Sequence, residues 1–322
     1  MATHDDPIPP TGAAHGATGV AAQPAAPVRV GLVGAGPWAG VFTGPMLAAG
    51  PDTTLAGVWA RRDDAAAALA ARLGTVAAPS LDALVADCDA IAFAVPPDVQ
   101  SELTPHALRA GRPVLLDKPI ALTLAQAERL AGQIADAGVV SQVVLTNRYR
   151  PVMRSFLTAA ASFPIDGARA SFVHGDARPG AYFGTPWRLD HGCLLDLGPH
   201  VLDALDAAVG PIVDVRAAGS STAVMTLVCH HLDGTVSSAV MSGTTPVARS
   251  GMSLELFGPE GELALDLVRW DADTAAADTA TAVRTIASEF AAAVRTGVPH
   301  PLDAQRGLHL QRLIHLAADR AA

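Results

Sequence analysis

Lysine is all but missing from this chain. Of 22 basic residues among 322, Lys118 alone is lysine and the rest are arginine. A general bias toward arginine accounts for the others, so position 118 is singled out as one that wants a compact ammonium able to exchange its proton, which a guanidinium effectively cannot do. Cysteine is scarce too. Cys88, Cys193 and Cys229 are far apart, odd in number and free of Cys-x-x-Cys spacing, which excludes a disulfide framework and a zinc knuckle and fits a reducing cytoplasm. Charged residues make up 16% and apolar ones 50%, against about 25% charged in an average soluble protein, so disorder over most of the length is excluded. The net charge of −9, with no basic block, argues against nucleic acid as a partner. No uninterrupted apolar run reaches the ~18 residues of a membrane span. Residues 1–27, rich in Pro, Ala, Gly and Thr, carry Asp5 and Asp6 where a secretory signal needs positive charge, and read as a flexible tail.

What is present is an alternation. The length suggests two domains, or one large one with an elaborate second lobe. From Val28 an apolar run to Val33 leads into Gly34-Ala35-Gly36-Pro37-Trp38-Ala39 and then a mostly apolar stretch to Gly50. Thr54 to Ala60 reads as a strand, and Asp63 or Asp64 as the N-cap of a helix stopping at Gly74. Ser80 to Ala86 reads as helix, Ala90 to Val95 as strand, Asp98 to Ala110 as helix, and Pro113 to Leu116 as a strand counted fifth. A helix over Thr123 to Ala137 and a sixth strand over Val139 to Thr146 follow. Near-continuous Val, Ala, Ile and Leu in the strands calls for a parallel sheet covered on both faces, a doubly wound α/β domain over 28–147. Beyond Asn147 strands come in antiparallel pairs. Ala223 to His231 turns through Leu232-Asp233-Gly234 into Thr235 to Ser242, and Ser253 to Phe257 turns into Glu262 to Leu267. Residues 148–322 therefore read as an α+β domain with a mainly antiparallel sheet, closed by helices over Thr279 to Thr296 and Asp303 to Ala321.

The Gly34-x-Gly36-x-x-Ala39 pattern, between a strand and a helix, suits a dinucleotide. The first glycine makes the turn, the second admits the pyrophosphate, the small third residue lets the helix pack closely, and helix N–H groups favour the anion. Pro37 and Trp38 belong to this loop. At the end of the second strand, where an acidic residue usually takes the ribose hydroxyl, stand Ala60, Arg61 and Arg62. Two cations there favour the 2′-phosphate of NADP(H) over NAD(H), with Asp63 or Asp64 as ribose acceptor in the counter-reading. Two further segments carry convergent polar groups. Asp117-Lys118-Pro119 ends a strand, where crevices form. In the run Gly192 to Asp203, Asp196, His200 and Asp203 share a stripe if it is helical, opposite Leu194, Leu197, Val201, Leu205 and Val209; alternatively Pro199 opens the helix and Asp196 stands just before it. His230-His231, His309 and His315 lack the convergent spacing of a metal site.

These motifs resemble the glucose-fructose oxidoreductase, inositol dehydrogenase and rhizopine-catabolism (Gfo/Idh/MocA) family from Val28 onward. Asp117-Lys118-Pro119 is similar to the family's Glu-Lys-Pro, and Gly192 to Asp203 to its Gly-Gly-x-x-x-Asp-x-Gly-x-His-x-x-Asp signature. Trp187-Arg188 and Asn147-Arg148-Tyr149 resemble its flanking motifs. The resemblance implies a Rossmann domain joined to an open-faced sheet, nicotinamide between them, and dimers or tetramers through the sheet. It also implies that Lys118 contacts the reacting hydroxyl and the nicotinamide ribose, that His200 is general acid and base, and that Asp196 orients it. Cofactor contacts are expected from Gly34, Gly36, Pro37, Trp38, Arg61, Arg62, Pro96, Pro97, Gln100, Asp117 and Lys118, and substrate contacts from Arg148, Tyr149, Trp187 and Arg188; Tyr149 and Trp187 either line the pocket or simply pack. A histidine near neutrality suits the proton that must accompany hydride transfer at a carbinol. Three positions depart from the pattern: Asp117 replaces Glu, Gln100 stands where the family has His, and Cys193 replaces the second Gly. The expected activity is NAD(P)-dependent interconversion of a secondary alcohol and a carbonyl on a sugar, cyclitol or related polyol. Alternatives are a non-catalytic NADPH-binding regulator and an NAD-dependent glycoside hydrolase of the same superfamily.

Overall fold

The computed structural model describes residues 25–320 apart from 249 and 268–271; most of the expected N-terminal tail lies outside these. Five strands, β1 (Val28–Val33), β2 (Thr53–Trp59), β3 (Ala90–Phe93), β4 (Val114–Asp117) and β5 (Ser141–Val144), pair in parallel in the order β2-β1-β3-β4-β5. Side chains of β1, β3, β4 and β5 are almost all buried, as a sheet covered on both faces demands, while the edge strand β2 alternates with partly buried residues. The count of six is one too high. Between the helices that follow β2, only Ala77 makes an isolated bridge, to Val58, so the strand counted sixth is β5.

Five helices alternate with these strands: α1 (Gly44–Ala48), entered through a π-helical turn at Ala39–Thr43, α2 (Asp63–Leu73), α3 (Leu81–Ala86), α4 (Pro97–Arg109) and α5 (Leu124–Ala137). Ser80 caps α3 through its side chain, and Thr123 with Gln126 forms a capping box on α5, satisfying N–H groups a helix start leaves unpaired. The N-cap of α2 is Arg62, with no side-chain cap. Asp63 and Asp64 lie inside the first turn, where their charge faces the positive end of the helix dipole.

After β5 a 3₁₀ turn (Thr146–Tyr149) leads to α6 (Pro151–Ala160) and a second sheet. Its strands are β6 (Gly167–Val173), β7 (Ile212–Gly219), β8 (Met225–His231), β9 (Val236–Ser242), β10 (Gly251–Gly258) and β11 (Gly261–Asp266), ordered β11-β10-β6-β9-β8-β7. Only the β6–β9 pair is parallel. Both expected hairpins form, as β8–β9 and β10–β11; α6, β6 and β7 were not foreseen. One face of the sheet packs on α8 (Gly198–Val209) and, at β7, on α10 (Ala304–Asp319). The outward residues Thr226, Val228, Val236 and Val240 are exposed.

Helix α8 does not carry the two contrasting stripes its spacing predicts. Nearly every residue from Gly198 to Leu205 is buried, His200 and Asp203 included, because the helix lies between the sheet, α6, α7 (Pro186–Asp196) and α10. The two closing helices return to the first sheet. Helix α9 (Ala272–Thr296) is seen to start earlier than Thr279 and packs beside β1 and β2; α10 packs on α5 and β5. Ala304 N–H donates to Ser141 Oγ at 3.0 Å, and Gln142 Nε2 to the Ile286 carbonyl at 3.2 Å. No helix among the described residues is long and apolar enough to cross a membrane.

Candidate active site

The carboxyl ends of β1, β2 and β3 open onto a crevice of about 390 Å³ lined by Gly34, Gly36, Pro37, Arg61, Arg62 and Pro96, the usual place for a ligand in a doubly wound sheet. Gly34 has φ +121°, and a Cβ there would stand 2.3 Å from the Ala94 carbonyl oxygen, so no other residue fits. Gly36 is the opposite case: a Cβ would meet nothing within 4 Å. That open backbone is what a pyrophosphate needs for close approach, and the crevice fits a dinucleotide. Ala39, the third fingerprint position, is fully buried. Arg61 and Arg62 are exposed, Arg62 lying 3.5 Å from Asp64.

A second cavity, of about 260 Å³, is lined by Trp38 and gathers Asp117, Lys118, Arg188, Asp196 and His200. Lys118 follows the last residue of β4. Its Nζ donates to the Asp196 carbonyl at 2.7 Å and to Asp196 Oδ1 at 2.8 Å, joining the two domains across the cavity. Asp196 is aimed by a break in the chain. Gly192 interrupts α7 at φ +69° with its Cα so close to the Ser221 carbonyl that a Cβ would be 2.0 Å from the oxygen. The chain then restarts as α8 with Pro199 in its first turn, so Asp196 stands just before the helix that bears His200.

The electrostatics follow from this burial. Burial opposes ionisation of Asp196, but the Lys118 ammonium and the Arg188 guanidinium, 3.2 Å away, outweigh it and hold the carboxyl well below the usual range. His200 is pushed down to about 3, by burial first and Lys118 second, against the pull of Asp196. It is therefore a neutral imidazole at physiological pH, with Nδ1 buried and unpartnered. Burial lifts Asp117 to about 6 despite Lys118 and Arg188; its Oδ1 accepts the Lys118 backbone N–H at 2.8 Å. Burial also raises the Cys193 thiol to about 11, which makes it a small buried filler and not a nucleophile.

Not every expected residue reaches the cavities. Gln100 is fully buried, receiving the Asp117 N–H at 2.8 Å and donating to the Asp117 and Ile120 carbonyls at 3.0 and 3.1 Å; it clamps the turn that carries Lys118. Pro97 is buried at the start of α4. Arg148 points away and holds Asp203 at 3.0 Å. Tyr149 is buried with its hydroxyl on the Val143 carbonyl at 3.0 Å. Trp187 stacks on Arg188, 4.5 Å from guanidinium carbon to ring centre, and does not line the cavity. Their places are taken by Asn147 and Arg150 from the same turn, and by Phe172, His174 and Asp176 at the end of β6. No local signal in the sequence marks the last three, because the strand that delivers them pairs only with distant segments. Among the described residues no cluster of His, Cys, Asp or Glu could hold a metal ion.

Residues 28–145 match the family model GFO_IDH_MocA, an oxidoreductase family with an NAD-binding Rossmann fold. A dTDP-3,4-didehydro-2,6-dideoxy-alpha-D-glucose 3-reductase of Streptomyces antibioticus is 30% identical over 265 residues, 76% of this chain and 77% of the relative. The chain belongs to the Gfo/Idh/MocA oxidoreductase family. A reductase of the same description from Streptomyces violaceoruber is 32% identical over 204 residues, 59% of this chain; this chain spans only 57% of that relative's length. Among solved structures, GenD2 from gentamicin A biosynthesis in complex with NAD superposes with a TM-score of 0.81 at 20% identity, covering 98% of this chain and 97% of the other. That likeness is one of fold.

Proposed function

We propose that this Gfo/Idh/MocA member is an NAD(P)-dependent oxidoreductase, with NADPH favoured, that interconverts a secondary alcohol and a carbonyl on a sugar, cyclitol or related polyol. The observation that carries this reading is the Lys118–Asp196 pair, drawn from two domains and set beside a neutral, buried His200 in one cavity, in a chain that also has an open glycine-loop crevice at the ends of β1, β2 and β3. The relatives, named as reductases of a keto sugar, support the substrate class.

Gly34, Gly36, Pro37 and Pro96 would hold the dinucleotide, and Arg61 with Arg62 its 2′-phosphate. Bound there, it supplies or accepts the hydride. Lys118, fixed by two acceptors of Asp196, has one donor left to direct at the substrate oxygen, lowering the energy of the alkoxide-like state. His200, kept neutral by burial and by Lys118, is ready to accept the hydroxyl proton when the alcohol is oxidised. In reduction the same path runs in reverse, His200 returning the proton to the oxygen to which the Lys118 ammonium donates, with Asp196 retaining its charge throughout.

The test is a titration of the purified protein with NADPH and NADH, followed by tryptophan quenching, in the wild type and in Arg61→Ala/Arg62→Ala. The wild type should bind NADPH more tightly, and the double variant should lose about tenfold or more for NADPH, a phosphate contact of roughly 1.5–3 kcal/mol, with NADH little changed. Equal losses for both would overturn the 2′-phosphate assignment; no binding of either to folded protein would overturn the enzymatic reading.

We also infer a second copy of the chain as partner for the outer face of the second sheet, where Val228, Val236 and Val240 are 38–43% exposed on adjacent strands.

A further inference from the structure

Helix α7 carries two of the cavity's charges, Arg188 in its first turn and Asp196 as its last residue. In an unbroken helix, at about 1.5 Å per residue, they would stand about 12 Å apart along the axis, too far for a close ion pair. The break at Gly192 redirects the chain, and Arg188 Nε lies 3.2 Å from Asp196 Oδ1. Arg188 is itself held from several sides. Its guanidinium carbon is 4.5 Å from the centre of the Trp187 ring and 5.8 Å from that of Phe183, and Nη1 donates to Thr185 Oγ1 at 3.2 Å. Thr185 precedes α7 without capping it through its side chain, which leaves the hydroxyl for this task. Phe183 in turn meets Trp38 of the first domain edge-on, with 5.9 Å between ring centres. A side chain locked in this way is suited to fixing another group in place.

Asp196 Oδ1 thus has two cations, Lys118 from the end of β4 and Arg188 from its own helix. They differ in kind. Lys118 has a donor to direct at the substrate oxygen, and its ammonium is drawn on as negative charge develops there; a guanidinium keeps its charge and gives up no proton. With Lys118 as its sole counter-ion, the buried carboxylate would be left poorly balanced as the alkoxide-like state forms. Arg188 is a counter-ion that persists. It also ties the two sides of the Gly192 break, so that the Asp196 carbonyl, which accepts Lys118 Nζ at 2.7 Å, keeps its place.

Resting on the oxidoreductase reading above, we propose that Arg188 is a positioning residue and not a substrate ligand: a clasp across the Gly192 break that fixes Asp196, and through it Lys118, for catalysis.

The single lysine of the chain makes a direct test possible. Protein grown with lysine carrying carbon-13 at Cε gives one lysine side-chain signal, that of Lys118, and needs no substrate. Arg188→Met should move this signal part of the way toward its position in Asp196→Asn, with affinity for NADPH retained. A signal left at the wild-type position would overturn the clasp. Kinetics supply the second readout, in oxidation of whichever of D-glucose, myo-inositol and dTDP-glucose the cofactor-loaded wild type turns over. Arg188→Met should lower kcat about 10- to 100-fold, the scale of a catalytic group displaced by about 1 Å, with KM for the alcohol within about threefold of wild type. Arg188→Lys, which restores the charge without the planar fork, should recover most of that loss. A rise in KM of about tenfold or more at unchanged kcat would make Arg188 a substrate ligand and overturn the proposal. Arg188→Gln takes the place of Arg188→Met if that variant does not fold. Absence of turnover by wild type would overturn the oxidoreductase reading on these alcohols, and the Lys118 signal would still decide the clasp.

Discussion

At position 118 the chain needs a group that is cationic, narrow and able to part with a proton. Lys118 Nζ satisfies two oxygens of one residue, the Asp196 carbonyl and Oδ1, on a side chain only 12% exposed. A guanidinium is wider, planar and permanently charged, and Arg188 already occupies the other side of Asp196 Oδ1. Lys118→Arg is therefore expected to lower kcat by about 100-fold or more, the scale of lost proton transfer, while cofactor affinity stays within a few-fold. Steady-state kinetics alongside the cofactor titration check this; unchanged turnover would remove the reason for a lone lysine. The singularity of Lys118 was visible in the residue count, and Asp196 and His200 in their spacing. The exchange of Arg148 for Arg150 was not visible. The two differ only by which side of a 3₁₀ turn they leave, and that is set by Asp203, 55 residues away in sequence, which draws Arg148 to itself.

Helix α8 shows how an element can be functional and structural at once. His200 lies in its first turn, while the following turns hold an ion cluster. Asp203 accepts from Arg148 at 3.0 Å and from Arg306 Nε at 2.8 Å, and Asp206 binds Arg306 and, at 3.0 Å, His309. The cluster ties α8 to α10 and to the turn after β5. Asp203 is 1% exposed, and removing one member of a buried pair strands its partners. Asp203→Ala is thus expected to cost about 3–5 kcal/mol, read as a lower urea midpoint, whereas His200→Ala should slow turnover with little change in that midpoint. A midpoint for Asp203→Ala equal to wild type would show the cluster to be dispensable. Elements with local signals were legible: the capped helices, the buried parallel strands and both hairpins. β6 was not. Its sequence, Gly-Ala-Arg-Ala-Ser-Phe-Val, has small inward residues, Ala168 and Ala170, and its partners β9 and β10 lie some 70 or more residues away, so no turn announces it. The same distance hid Phe172, His174 and Asp176, the part of the cavity that β6 delivers.

For the whole molecule the unresolved balance is the outer face of the second sheet. The inner face is sealed by α8 and α10, and each strand alternates accordingly, with Met225, Leu227 and Cys229 inward and Thr226 and Val228 outward. On β8 and β9 the outward set contains no Asp, Glu, Lys or Arg; charge flanks it as Asp214 and Arg216 on β7 and as the Arg169–Glu255 pair on β6 and β10. A neutral, valine-bearing patch across two adjacent strands, rimmed by charge, is what an interface between copies presents. Burying a valine contributes about 1.5 kcal/mol or more, and a two-fold axis counts each twice, so substitutions here act doubly on association. Val228→Asp/Val240→Asp is expected to convert a dimer or tetramer to monomer in size-exclusion chromatography with light scattering, with affinity for NADPH retained because the glycine crevice lies in the other domain. A wild type that is already monomeric at micromolar concentration, or a double variant of unchanged mass, would leave this face without a partner. Loss of NADPH binding along with the mass would point to a different arrangement, in which the second copy completes the cofactor site.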